Sequence, residues 1–169
     1  MGKCKLICIV IWINLSVSAQ DVITSFLDKH EKDDNLEVVS IGKKMMEMMD
    51  SLTLDSLDLK EALKGLEMIR IVSSKDKDLN KEYYDSARDL LYKSKGLEEF
   101  ISMKEEDKEL MVMIRKTKDA VKELILISEQ PEGFNLISVS GTINLNVLRN
   151  YSEKLKIKEL NHLRSLKRH

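Results

Sequence analysis

The densest run of side chains with distinctive chemistry is Met45-Met46-Glu47-Met48-Met49. On a helix Met45 lies beside Met48 and Met49, three and four residues further on. Thioethers are soft donors suited to Cu(I), so Met45, Met46, Met48 and Met49 are the candidate metal ligands, and copper handling is one reading of the chain. Methionine is also an adaptable core filler. Met68, Met103, Met111 and Met113 continue the same usage on strands, where Met111 and Met113 share a face. A chain that uses methionine throughout is using it mainly for packing.

Other chemistry is thinner. Of the histidines, His162 and His169 are near the tail and His30 ends the first predicted helix, and no H-E-x-x-H spacing joins any of them. Nucleophilic catalysis needs an activated serine or cysteine with a base; no G-x-S-x-G occurs, the chain after the first residues has no cysteine, and the histidines are remote in sequence from most of the serines. Two carboxylates suffice for glycoside hydrolysis, but with 29 acidic residues some pair always qualifies. Gly42, Gly65, Gly96, Gly133 and Gly141 are isolated and read as helix stops and turns rather than a phosphate-cradling loop. No catalytic residue or cofactor is indicated.

The first residues, MGKCKLICIVIWINLSVSAQD, carry Lys3 and Lys5, then an apolar run from Leu6 to Ile13, then the small residues Val17-Ser18-Ala19. This is the three-part pattern of a secretory signal. The run is far shorter than the roughly 20 apolar residues that span a bilayer. Cleavage after Ala19 is expected, leaving a periplasmic or secreted protein with no transmembrane segment. Cys4 and Cys8 both fall inside the signal, so the chain from Gln20 onward has no disulfide to staple it and depends on burial. Residues 20–169 are long enough for one sizeable core. Without Lys3 and Lys5 there are 26 basic residues against 29 acidic ones, mixed along the chain, which offers no basic field for nucleic acid. The basic tail, about residues 156–169, suits a solvated helix end.

The elements that must position these residues follow from periodicity. Val22, Ile23, Phe26 and Leu27 predict a helix from Asp21 to His30. Leu36 to Ile41 predicts a strand and Lys43 to Met49 a helix. A loop is expected over Asp50 to Leu57, then a short helix from Asp58 to Gly65, then a strand over Leu66 to Val72. Leu79, Tyr83, Ala87, Leu90 and Leu91 mark the clearest helix. Period-two runs follow at Glu99–Lys104, Leu110–Lys116, Val121–Ser128 and Phe134–Ser140, separated by turn chemistry. Short connections between successive strands predict an antiparallel four-strand meander. Asn144 is placed to cap a last helix. The fold class is α+β, a mostly antiparallel sheet with helices packed on one face.

This pattern resembles the domain of unknown function 4252 family, uncharacterised exported proteins of Bacteroidota. The residues that carry the resemblance are Phe26-Leu27-Asp28-Lys29-His30, Val38 to Met46, Leu63 to Ser74, the Glu98 to Ile114 hairpin and Phe134 to Gly141. The resemblance implies a bacterial envelope protein and carries over no functional residue. In such proteins Asp-Ser-Leu also resembles an O-glycosylation acceptor, which makes Ser51 and Ser56 candidate attachment points in the expected loop. The function expected is a non-enzymatic binding or interaction module with an envelope protein as partner. The alternatives are a small solute-binding protein or enzyme assembled from sequence-distant residues, and the copper-handling protein above.

Overall fold

The computed structural model describes residues 21–52, 63–117 and 120–144. The expected signal, Ser56, all but the last three residues of the expected helix from Asp58 to Gly65, and the expected C-terminal helix from residue 145 on with its basic tail lie outside them.

Helix α1, Val22–Lys29, starts on Asp21, whose carboxylate accepts from the Ile23 backbone N–H at 3.0 Å. This cap satisfies a donor that the first turn leaves free. Strand β1, Glu37–Gly42, runs without a linker into helix α2, Lys43–Leu52. The loop expected from Asp50 is corrected here. Asp50, Ser51 and Leu52 include no glycine or proline to break the helix, and α2 continues through them. Strand β2 spans Leu66–Ser74, helix α3 spans Asn80–Lys93, and β3 (Glu98–Lys104), β4 (Glu109–Lys116), β5 (Val121–Gln130) and β6 (Gly133–Ile143) form the expected meander.

All six strands join one antiparallel sheet in the order β1-β2-β6-β5-β4-β3. Registered rows of side chains cross it, because alternate residues point to opposite faces. One row is Val72, Leu136, Ile127 and Met111. It belongs to the main core with Val22, Ile23 and Phe26 of α1 and Tyr83, Ala87 and Leu91 of α3. Phe26 stacks on Phe134 with ring centroids 5.5 Å apart, and Tyr83 meets Phe26 edge-on at 6.2 Å. The other row is Ile69, Val139, Leu124 and Ile114, in a second cluster that α2 enters through Met46. The fold is therefore α+β with a mostly antiparallel sheet, as expected, but the expectation that the helices pack on one face is corrected: α1 and α3 share one face, and α2 packs on the other. The direct β1–α2 junction commits α2 to the second cluster.

Two glycines depart from the reading as stops and turns. Gly42 closes β1, and Gly141 lies within β6 at φ +128°. A Cβ on Gly141 would come within 2.4 Å of the Gly65 carbonyl oxygen. The close approach falls where the β2–β6 register shifts between Leu66 and Met68.

Candidate functional site

The three candidate methionines whose side chains are described, Met45, Met46 and Met48, do not share one surface. Met46 is 3% exposed and packed in the second cluster, whereas Met45 and Met48 are 52% and 58% exposed. Successive helical residues are about 100° apart, so seating Met46 inward turns Met45 and Met48 outward. The Met49 side chain is outside the described part of α2. Met111 and Met113 share the main core face, as their alternation required. Among the described residues no group of three His, Cys, Asp or Glu side chains could hold a metal ion. Ser51 lies in the last turn of α2 rather than in a loop.

The structure also assembles a constellation that sequence spacing concealed. His30 caps the C-terminus of α1 and places Nε2 3.0 Å from Ser86 Oγ on α3. Its ring packs on Phe26 at 4.6 Å and edge-on to Tyr83 at 5.2 Å. The Tyr83 hydroxyl donates to Asp33. Burial, reinforced by Lys29, lowers the His30 pKa. The bond from Tyr83 holds the Asp33 carboxyl below its usual range, while burial and Asp33 push the Tyr83 hydroxyl up. His30 and Asp33 line a hollow of about 570 Å³, but Ser86 is buried and does not line it. A serine that a substrate cannot reach is no nucleophile, so the pair serves as a clasp between two helices. Its only legible sign in sequence was a histidine ending an apolar helix.

A second polar group ties α3 to the far strands. Glu109 on β4 faces Lys81 at 3.2 Å and Arg88 at 3.9 Å, and Lys104 also reaches it. Lys81 extends to Glu129 on β5 at 3.6 Å. Hydrogen bonding from Lys104 and Lys81 lowers the Glu109 pKa. Lys81 and Arg88 lie over the Tyr84 ring at 5.2 and 5.8 Å. Burial pushes the Tyr84 hydroxyl up to about 12.

Among the described residues, what remains open is an edge. β3 ends the sheet on one side, guarded by a register shift between Glu99 and Ile101 and by Glu98, Glu99 and Lys104. Bulges and charges are the usual means of blunting an edge. β1 ends the other side with no bulge, and its one charged residue is Glu37 at the strand's start. Its register against β2 is unbroken from Glu37 to Gly42, and Val38 to Gly42 carry no charge. Val38 and Val39, on opposite faces, are 47% and 50% exposed.

The family model for a domain of unknown function (DUF4252) matches residues 30–151. The chain belongs to this family. Neither the curated proteins nor the solved structures include a match to it. The DUF4252 match takes in all six strands and α3 but begins at His30. The core residues Val22, Ile23 and Phe26 of α1 therefore lie before the matched span, and His30, the clasp residue, is its first position.

Proposed function

We propose that this protein is an exported, periplasmic or secreted component of a Bacteroidota cell envelope that acts as a non-enzymatic interaction module. Export rests on the three-part N-terminus, with its short apolar run and small-residue cleavage box. The contact surface is the outer edge of β1, and the observation that carries the reading is Val38 and Val39 standing half-exposed on an edge strand of unbroken register whose residues Val38 to Gly42 carry no charge. An unpaired strand presents a row of N–H and C=O groups that an extended segment satisfies by adding to the sheet.

A solute-binding role rests on less. A hollow of about 330 Å³ between α2 and the start of β2 is lined by Lys43, Met46, Glu47, Leu63, Gly65 and Leu66. That is at the small end of ligand sites, which also bring several polar groups together; here the charged side chains are Lys43 and Glu47, 3.9 Å apart and largely in solvent, and the exposed Lys64, which also lines it. A copper role would rest on Met45 and Met48 alone among the described thioethers of α2.

The test is crosslinking of the tagged mature protein in its native envelope, with mass spectrometry of what is captured. A reproducible partner whose yield drops when Val39 is replaced by Lys supports the reading. Capture unaffected by that change, or no capture at all, defeats it and moves weight to the solute-binding role.

A further inference from the structure

We infer that the occupant of the β1 edge is a second copy of this chain, paired antiparallel about a two-fold axis at Ser40. The inference rests on β1 being the contact surface, and it goes further by naming what binds there.

Sheet geometry restricts the alternatives. A two-fold perpendicular to a sheet keeps each face continuous across the junction, so paired residues must share a face. The axis must then pass through a residue, and a strand running from Glu37 to Gly42 has two central positions, Val39 and Ser40. An axis at Val39 sets Glu37 opposite Ile41 of the other copy, placing a charge against an apolar side chain. An axis at Ser40 sets Val39 opposite Ile41 and Val38 opposite Gly42. It also brings Glu37 opposite Lys43, the first residue of α2. Each exposed valine gains an apolar or small partner, and each end of the junction gains an opposite charge. Cross-strand pairs of both kinds stabilise a sheet.

The flanking charges favour the same orientation. Asp33, Asp34 and Glu37 precede or open the strand, and Lys43 and Lys44 follow it. Antiparallel self-pairing brings the acidic end of one copy to the basic end of the other, whereas parallel pairing would stack like with like. Six residues of strand edge bury less than the roughly 1,200 Å² of a standard stable interface. The dimer is therefore concentration-dependent and exchanges with monomer.

The experiment is sedimentation velocity on the mature chain over a range of concentrations, repeated with Glu37→Lys, Lys43→Glu and the double swap. All the exchanged side chains are exposed, and circular dichroism checks that each variant is folded. The expected result is a monomer–dimer equilibrium in the natural chain, weakened on the order of tenfold by either single swap and restored by the double swap. As an independent readout, the otherwise cysteine-free mature chain carrying Ser40→Cys should form a disulfide-linked dimer under mild oxidation, faster than one carrying Glu106→Cys on the β3–β4 turn. A chain that stays monomeric at every concentration, or a dimer that ignores both single swaps, overturns the inference. If the chain is monomeric yet envelope crosslinking captures a different protein through β1, the interaction reading stands and only the identity of the occupant is wrong.

Discussion

His30 Nε2 and Ser86 Oγ are 3.0 Å apart although 56 residues separate them in the chain, and this bond fastens the end of α1 to the middle of α3. The partners sit beside Phe26 and Tyr83, in the most aromatic part of the core. The clasp favours a neutral imidazole. Because burial lowers the His30 pKa in the folded state, the unfolded chain takes up a proton first as pH falls. Stability should be full above about pH 6.5, the ordinary histidine value, and decline as pH drops below it. Urea unfolding of the chain from Gln20 onward across pH 5 to 8 should show this slope. His30→Gln should flatten it, and an unchanged slope in that variant would assign the titration elsewhere.

Phe26 is fully buried between Phe134, Tyr83 and His30. Phe26→Ala should cost about 3–5 kcal/mol, the range for removing a large core aromatic. Thermal or chemical unfolding measures this directly. A loss below about 1 kcal/mol would mean that α1 is not an integral part of the core, although it precedes the family match.

Gly141→Ala should destabilise by more than about 2 kcal/mol, since it adds a Cβ against the Gly65 carbonyl at a backbone angle that L residues rarely adopt. Gly42→Ala is the control: nothing stands within 4 Å of its added Cβ. The two variants should differ clearly in midpoint of urea unfolding.

The ion pairs should contribute unequally. Glu109, mostly buried among Lys81, Lys104 and Arg88, should cost about 1–3 kcal/mol on replacement by Ala, since three cations lose their common partner. The exposed Lys43–Glu47 pair should contribute no more than about 0.5 kcal/mol. Because the Glu109 pKa is lowered in the folded state, its contribution is present above the ordinary carboxylate range and is lost as pH falls through its folded value. Double-mutant cycles in urea at pH 7 and pH 3 check both statements.

Periodicity made most of the architecture readable in advance. Val22, Ile23 and Phe26 kept a helical spacing, and Leu110 to Lys116 and Phe134 to Ser140 kept their faces, because each segment meets one large apolar surface whose period it must match. Long-range pairing was less accessible. No local feature tells that Ile69 lies beside Val139 and Val72 beside Leu136, which places β2 between β1 and β6. Gly141 was misread because a glycine demanded by a neighbouring backbone looks, in sequence, like one demanded by a turn. Ser51 falls in a helix rather than the expected loop because Asp50 to Leu52 hold no helix breaker, whereas the Asp-Ser-Leu repeat suggests irregular structure. The pairing of His30 with Ser86 had no local signature, being a consequence of tertiary packing.

The unequal treatment of the two sheet margins limits how far assembly can proceed. Pairing at β1 consumes the single inviting margin of each molecule, and what a dimer then presents on both flanks is β3, with its bulge and charges. Growth by strand addition therefore terminates after one step, so an exposed hydrophobic edge strand need not lead to propagation into fibres.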